Sequence, residues 1–293
     1  MRGGQISTSQ KVVTDITQKT ALPPLGFGTA DLKGDIREIV LNAIQSGYRL
    51  IDTAAVYGSE EAVGKAIREA ADRGLVRREA LTVQTKLAPD SHGYYKTLQG
   101  FEESLNRLRL DYIDVYLIHW PVGRGEEETY REKNMETWQA FAELKSKGRI
   151  RHVGVCNFLE RHLLDLIGSG YGCPEINQLE LHPGYQQRGL VRFCRERGIV
   201  VEAWSPMGRG ILDSKKFIAI AAKYGKDIGQ LALRWSIQKG FIPLTRSSSL
   251  RRIAGNMDIF GFEILREDME ELDALNTNDG YMDIWSYKRQ QMY

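Results

Sequence analysis

Short apolar runs rich in strand formers alternate with amphipathic stretches along the chain, and eight such pairs recur at a spacing of roughly 30 residues. The strand candidates are 25–28, 48–52, 81–86, 112–119, 152–157, 175–179, 199–204 and 241–244. Between them, Ile36, Ile39, Val40, Ala43 and Ile44 recur at helical spacing, as do Leu98, Phe101, Leu105 and Leu108. Segments 136–147 and 159–167 read as two further helices, the first stopped by Gly148 as a C-cap would stop it. Gly58-Ser59 predicts another helix start, with Glu60 and Glu61 in the first turn where the dipole favours them. Consecutive parallel strands need a crossover helix. Eight units therefore predict a closed (β/α)8 TIM barrel, an α/β fold, in preference to an open doubly wound sheet.

A chain of 293 residues suits one such barrel, because α/β barrels routinely exceed the usual domain size. The expectation is a single domain over 1–293. Residues 1–20 are read as an N-terminal β-hairpin plugging the barrel's bottom or as a flexible arm. The aromatic tail 278–293 is read as a loop folding over the mouth, or as packing against the barrel's side. GFGTAD, Gly26 to Asp31, begins like the dinucleotide fingerprint, but Asp31 fills the third glycine position. No acidic residue closes a second strand at the ribose-binding spacing, so the Rossmann signature is absent.

A net charge of +2 gives no reason to propose a nucleic-acid or membrane partner. No apolar run approaches the ~20 residues of a membrane span, and the first residues lack a leader's apolar core. Cys156, Cys173 and Cys194 show no zinc or redox spacing. A cytoplasmic, reduced protein is expected. His92, His152, His162 and His182 have no paired-ligand spacing, so no metal site is expected and all four read as structural or exposed.

Barrel active sites are built at the C-terminal ends of the strands, and these ends carry a consistent polar set. The second strand ends at Asp52 and leads to Tyr57, the third ends at Lys86, and the fourth at His119-Trp120. The fifth ends at Asn157, the sixth carries Gln178 and the seventh ends at Trp204-Ser205. Tyrosine's ordinary pKa of about 10 is too high for easy proton exchange near neutrality. An ammonium at Lys86 favours the phenolate, Asp52 holds that ammonium charged, and His119 can orient an oxygen beside Tyr57. This is the equipment of a general acid for carbonyl reduction, with the hydride supplied by a cofactor.

The motifs DTAAVYGSE, QTK, LIHWP, GVCNF, NQLELHP, AWSP and IPLTRSSSLRRIAGN, in this order over nearly the whole chain, resemble the aldo-keto reductase superfamily. The resemblance implies an NADPH-dependent reductase of aldehydes and ketones acting as a monomer. Tyr57 would be the proton donor, with Asp52, Lys86 and His119 completing a tetrad. Gly28, Thr29 and Asp52 match positions near the nicotinamide ribose, and Asn157 and Gln178 match the amides that hold the carboxamide. Cys156 stands where a serine is usual. Trp204 matches the aromatic under the nicotinamide ring, and Ser205 and Met207 begin the pyrophosphate loop. Arg246, Ser247, Arg252 and Asn256 match the segment holding the adenosine 2′-phosphate and adenine, with Gly255 where a further adenine contact is common. Val56 and Trp120, with His119, are expected to line the substrate pocket. Two other readings stand beside this one: a Schiff-base barrel of aldolase type using Lys86 as nucleophile, and a non-catalytic NADPH-binding regulatory barrel.

Overall fold

Each parallel strand has to be returned to the same end of the sheet by a helix, and the computed structural model, which describes residues 22–123, 128–208, 214–278 and 280, shows this alternation throughout. The order begins β1 (Gly26–Gly28), α1 (Ile36–Gln45), β2 (Leu50–Asp52), α2 (Glu60–Asp72), β3 (Thr82–Leu87), α3 (Tyr94–Leu108), β4 (Ile113–Ile118) and α4 (Tyr130–Ser146). It continues through β5 (Ile150–Cys156), α5 (Glu160–Gly168), β6 (Ile176–Glu180), α6 (Arg188–Glu196) and β7 (Val200–Trp204). Two helices, α7 (Lys215–Lys223) and α8 (Ile228–Gln238), precede β8 (Ile242–Thr245), and α9 (Leu250–Gly255) and α10 (Arg266–Asp273) follow it. The eight strands pair in sequence order and close into a barrel, Gly26 of β1 lying beside both Leu50 of β2 and Leu244 of β8. The (β/α)8 expectation holds, and each observed strand overlaps its expected run. The proposed hairpin over 1–20 and all of the tail except Asn278 and Gly280 lie outside the described residues. No helix among the described residues is long and apolar enough to cross a membrane.

Helix starts follow local chemistry. The Asp35 carboxylate accepts from the Glu38 amide ahead of α1, and Asp227 and Gln230 form a reciprocal capping box on α8. Ser59 departs from this pattern. Its hydroxyl makes no cap bond and pairs instead with the hydroxyls of Thr29 (3.0 Å) and Thr53 (2.8 Å). The start of α2 is thereby tied to the ends of β1 and β2.

The apolar residues divide into two bodies. The larger lies between the strands' outer faces and the helices, and includes Trp138, Phe141 and Trp235. The smaller fills the barrel interior with Leu50, Val115, Leu117, Ile176, Ile242 and Leu244. Period-two alternation lets β2, β4, β5 and β6 serve both bodies. At roughly 25 cal/mol per Å² of apolar area removed from water, this double burial is the main favourable term in folding.

Gly64 marks the tightest helix contact, since a Cβ there would stand 2.1 Å from the Leu108 carbonyl oxygen at the end of α3. On helix propensity alone, glycine to alanine in a helix interior stabilises by about 1 kcal/mol. Here backbone would have to move, so Gly64→Ala is expected to destabilise by about 1–3 kcal/mol in urea-unfolding measurements.

Candidate active site

Strand length decides which groups reach the mouth. β2 stops at Asp52, and the short 3-10 turn Ala55–Tyr57, closed by Gly58 in the left-handed region (φ 66°), brings Tyr57 back over the barrel. Lys86, on the neighbouring β3, is 0% exposed, and its Nζ donates to Asp52 Oδ1 (2.6 Å), the Thr53 carbonyl (3.0 Å) and Tyr57 Oη (3.4 Å). One ammonium thus joins a carboxylate to a phenol. Removing either partner of a buried ion pair costs about 3–5 kcal/mol, because the other charge is left unpaired. The imidazole of His119, just past β4, meets the Tyr57 ring edge-on with centroids 5.5 Å apart.

The electrostatics correct one expectation. Burial pushes the Tyr57 phenol above its ordinary value, and Lys86 pulls the other way without reversing the shift. A net acidified phenol is therefore not what this arrangement produces. Burial works against the charge on Lys86, but Asp52 and Tyr57 more than offset it and hold the amine protonated. Burial and the nearby Lys86 charge hold His119 well below its ordinary value, so the imidazole is neutral near pH 7.

Above these groups opens a cleft of about 1070 Å³, measured out to its rim. Gly28, Asp52, Tyr57, His119 and Trp120 line one part of it. Asn157, Gln178, Trp204, Ser205, Met207 and Arg246 line the rest, together with Cys156 and Asp31. Asn157 is held on three sides. Its Nδ2 donates to the His119 carbonyl (3.3 Å) and to Cys156 Sγ (3.2 Å), while its Oδ1 accepts from Trp204 Nε1 (2.9 Å). Asn157 and Ser205 both sit at positive φ (63° and 48°), a conformation that costs non-glycine residues energy and concentrates at functional sites.

Other expected residues stand outside the cleft lining. Thr29 is buried and donates to the Asp52 carbonyl (3.1 Å), so it supports the strand end. Val56 is half-buried on the 3-10 turn. Ser247 Oγ accepts from Arg252 Nε (3.2 Å), and Asn256 Nδ2 donates to Thr245 Oγ1 (2.8 Å), which fixes the start and end of α9 relative to β8. Arg246 is exposed at the rim, donating to the Ala30 carbonyl (2.6 Å) and to Asp31 Oδ2 (3.0 Å). Among the histidines outside the cleft, His162 is buried, with Nδ1 accepting from the Leu159 amide (3.2 Å), and His152 Nδ1 lies 2.9 Å from Glu175 Oε2.

Three residues have buried roles that the sequence reading does not assign. Glu60 is buried at the start of α2, taking hydrogen bonds from Thr85 Oγ1 and Arg107 Nε (both 2.6 Å), so it braces β3 and α3. Gln84 and Glu202 lie inside the barrel, where Gln84 Nε2 donates to both Asp52 Oδ1 (2.8 Å) and Glu202 Oε2 (2.7 Å). The available signal was alternation: Gln84 shares a strand face with Lys86, and Glu202 shares one with Trp204.

A match to the model of the Aldo/keto reductase family spans residues 24–277. The chain is similar to the glyoxal reductase of Bacillus subtilis (strain 168), with 40% identity over 275 residues covering 93% of this chain and 95% of that protein. It is also similar to the uncharacterized oxidoreductase YtbE of the same organism, with 42% identity over 260 residues, 88% of this chain and 90% of that one. Among solved structures, the aldo-keto reductase AKR2E4 of Bombyx mori, in complex with NADP, superposes with a TM-score of 0.83 at 37% identity, covering 91% of this chain and 93% of that one. With a family match across the barrel and relatives this similar over this much of their length, the chain belongs to the aldo/keto reductase family.

Proposed function

We propose that this protein reduces an aldehyde or ketone to the alcohol with NADPH, Tyr57 acting as general acid. The observation that carries the reading is the placement of Lys86 Nζ between Asp52 Oδ1 (2.6 Å) and Tyr57 Oη (3.4 Å) on the floor of an open cleft. The residues fit a nicotinamide dinucleotide. Gly28 leaves its backbone open where a Cβ would stand 3.9 Å from Asp52 Oδ2 and 3.7 Å from the Thr245 carbonyl. Asn157 and Gln178 present carboxamide oxygens, Trp204 an aromatic face, and Ser205 and Met207 the turn after β7. Arg246, with Ser247, Arg252 and Asn256 behind it, supplies the charge and donors for the adenosine 2′-phosphate and adenine, since an arginine fork suits phosphate geometry.

When bound, the dinucleotide supplies the hydride. Every other element of the reaction belongs to the chain. The carbonyl oxygen lies near Tyr57 and the neutral His119, with Trp120 and Val56 on the pocket side. As the oxygen gains charge, Tyr57 Oη gives up its proton, and Lys86 stabilises the phenolate left behind. The phenol's high proton affinity at rest is compatible with this role, because the ammonium acts mainly on the charged form. A Schiff-base role for Lys86 is disfavoured, since Asp52 holds the amine protonated and so without its nucleophilic lone pair.

NADPH consumption across a panel of aldehydes and ketones tests the reading. A protein that binds NADPH and reduces none of them would favour the non-catalytic alternative. Tyr57→Phe is expected to lower kcat by about a hundredfold or more while NADPH affinity, read by fluorescence titration, is retained. Arg246→Ala is expected to weaken NADPH roughly tenfold or more and NADH little. Equal loss for both cofactors would remove the phosphate role.

A further inference from the structure

Beneath Tyr57 and Lys86 the barrel holds a second carboxylate for which the reaction above has no role. Glu202, the middle residue of β7, is 0% exposed and points inward. Two carboxamides join it to Asp52. Gln84 Nε2 donates to Asp52 Oδ1 (2.8 Å) and Glu202 Oε2 (2.7 Å), and Gln178 Nε2 donates to the same two oxygens at 3.2 and 2.8 Å. All the amide protons of both glutamines are thus shared between two acids. Glu202 Oε1 has no hydrogen-bond partner among the described residues, so it can carry a proton without disturbing any of these bonds.

The charges facing Glu202 are few. Asp52 comes from β2, Lys86 from β3, and Cys156, whose thiol is kept neutral by burial, from β5. Gln178 from β6 is neutral, and β8 offers only Ile242 and Leu244. With both acids ionised, a single ammonium faces two carboxylates. With one proton on Glu202 the interior is neutral. Burial and the Asp52 charge push the Glu202 carboxyl up to about 7, against the pull of Gln178, Gln84 and Lys86.

We propose that Glu202 is a positioning residue for proton transfer from Tyr57, acting through Gln84 and Gln178 on the Asp52–Lys86 pair. Neutral Glu202 leaves the Lys86 charge fully available to the forming phenolate, and ionised Glu202 opposes it. The inference rests on the reading of Tyr57 as the acid. Its consequence is a carbonyl reduction that slows as pH rises through the ionisation of Glu202.

Glu202→Gln keeps an oxygen for the two amide donors and cannot ionise. The first measurement is kcat for reduction from about pH 5 to about pH 9. A change of half a unit in the phenol's acidity corresponds to about threefold in a rate that follows it. The unmodified protein should lose that much across neutrality, and E202Q should lack this limb and be about threefold faster than the unmodified protein on the alkaline side. An E202Q that is slower at every pH with an unchanged profile would mark a merely structural residue and overturn the proposal. Gln84→Leu removes one donor to Glu202 and should move the limb to higher pH; an unmoved limb also counts against it.

The second measurement needs no turnover. A carboxyl raised above its unfolded value contributes stability that is present below the unfolded value and lost as pH rises through the folded one. E202Q should therefore gain in melting temperature relative to the unmodified protein between about pH 5 and about pH 8. A constant difference would show that Glu202 does not titrate in the fold, and would overturn the proposal. If no carbonyl compound is reduced, the reading of the reaction fails, while the melting series still decides the ionisation of Glu202.

Discussion

The ion pair between Lys86 Nζ and Asp52 Oδ1, 2.6 Å long and withdrawn from solvent, is the contact around which the mouth of the barrel is organised. A lysine fully inside a protein loses most of its hydration, and only a neighbouring carboxylate with further acceptors makes that placement tolerable. The acceptors are close by: the Thr53 carbonyl and the Tyr57 hydroxyl complete three bonds to the ammonium. Asp52 in turn is held by Gln84 and Gln178 as well as by Lys86. Each partner would be costly alone. Together they tie the end of β2 to β3 and to the middle of β6, and the 3-10 turn can then return Tyr57 over a rigid charge.

This contact was legible in the sequence because it joins the ends of adjacent strands. Asp52 ends an apolar run and Lys86 lies near the end of the next strand, where barrel enzymes gather their functional groups. The family resemblance then set the remaining cleft residues in order. Less could be read where an outcome depends on three-dimensional closure. Arg246 and Asp31 were both noticed, but their ion pair follows from the pairing of β1 with β8, across 215 positions of sequence. Glu202 is hidden in the sequence because VVEAW looks like one more buried strand, and the need for its carboxylate appears only when Gln84 and Gln178 converge on it from other strands.

Two sequence expectations met competing physics. Ser59 has the composition of an N-cap, yet hydroxyls on Thr29 and Thr53 claim its side chain, since linking two strand ends engages more groups than one helix amide. The charged neighbour alone predicts an acidified Tyr57. Burial, which no spacing reveals, proved the larger influence on the phenol. In both cases the residue type was informative and its surroundings decided the outcome.

The mixture of apolar and charged side chains inside the barrel also bears on how the barrel assembles. Leu50 and Ile176 precede Asp52 and Gln178 on β2 and β6, while Gln84 pairs with Val115, Lys86 with Leu117 and Glu202 with Ile242 across neighbouring strands. A strand displaced by one residue turns every inward side chain outward. For β3 or β7 that would press Lys86 or Glu202 against the apolar helix layer with no partner. The charged cluster therefore proofreads strand register, and an error in the sheet is penalised most heavily at the level where the chemistry is proposed to occur.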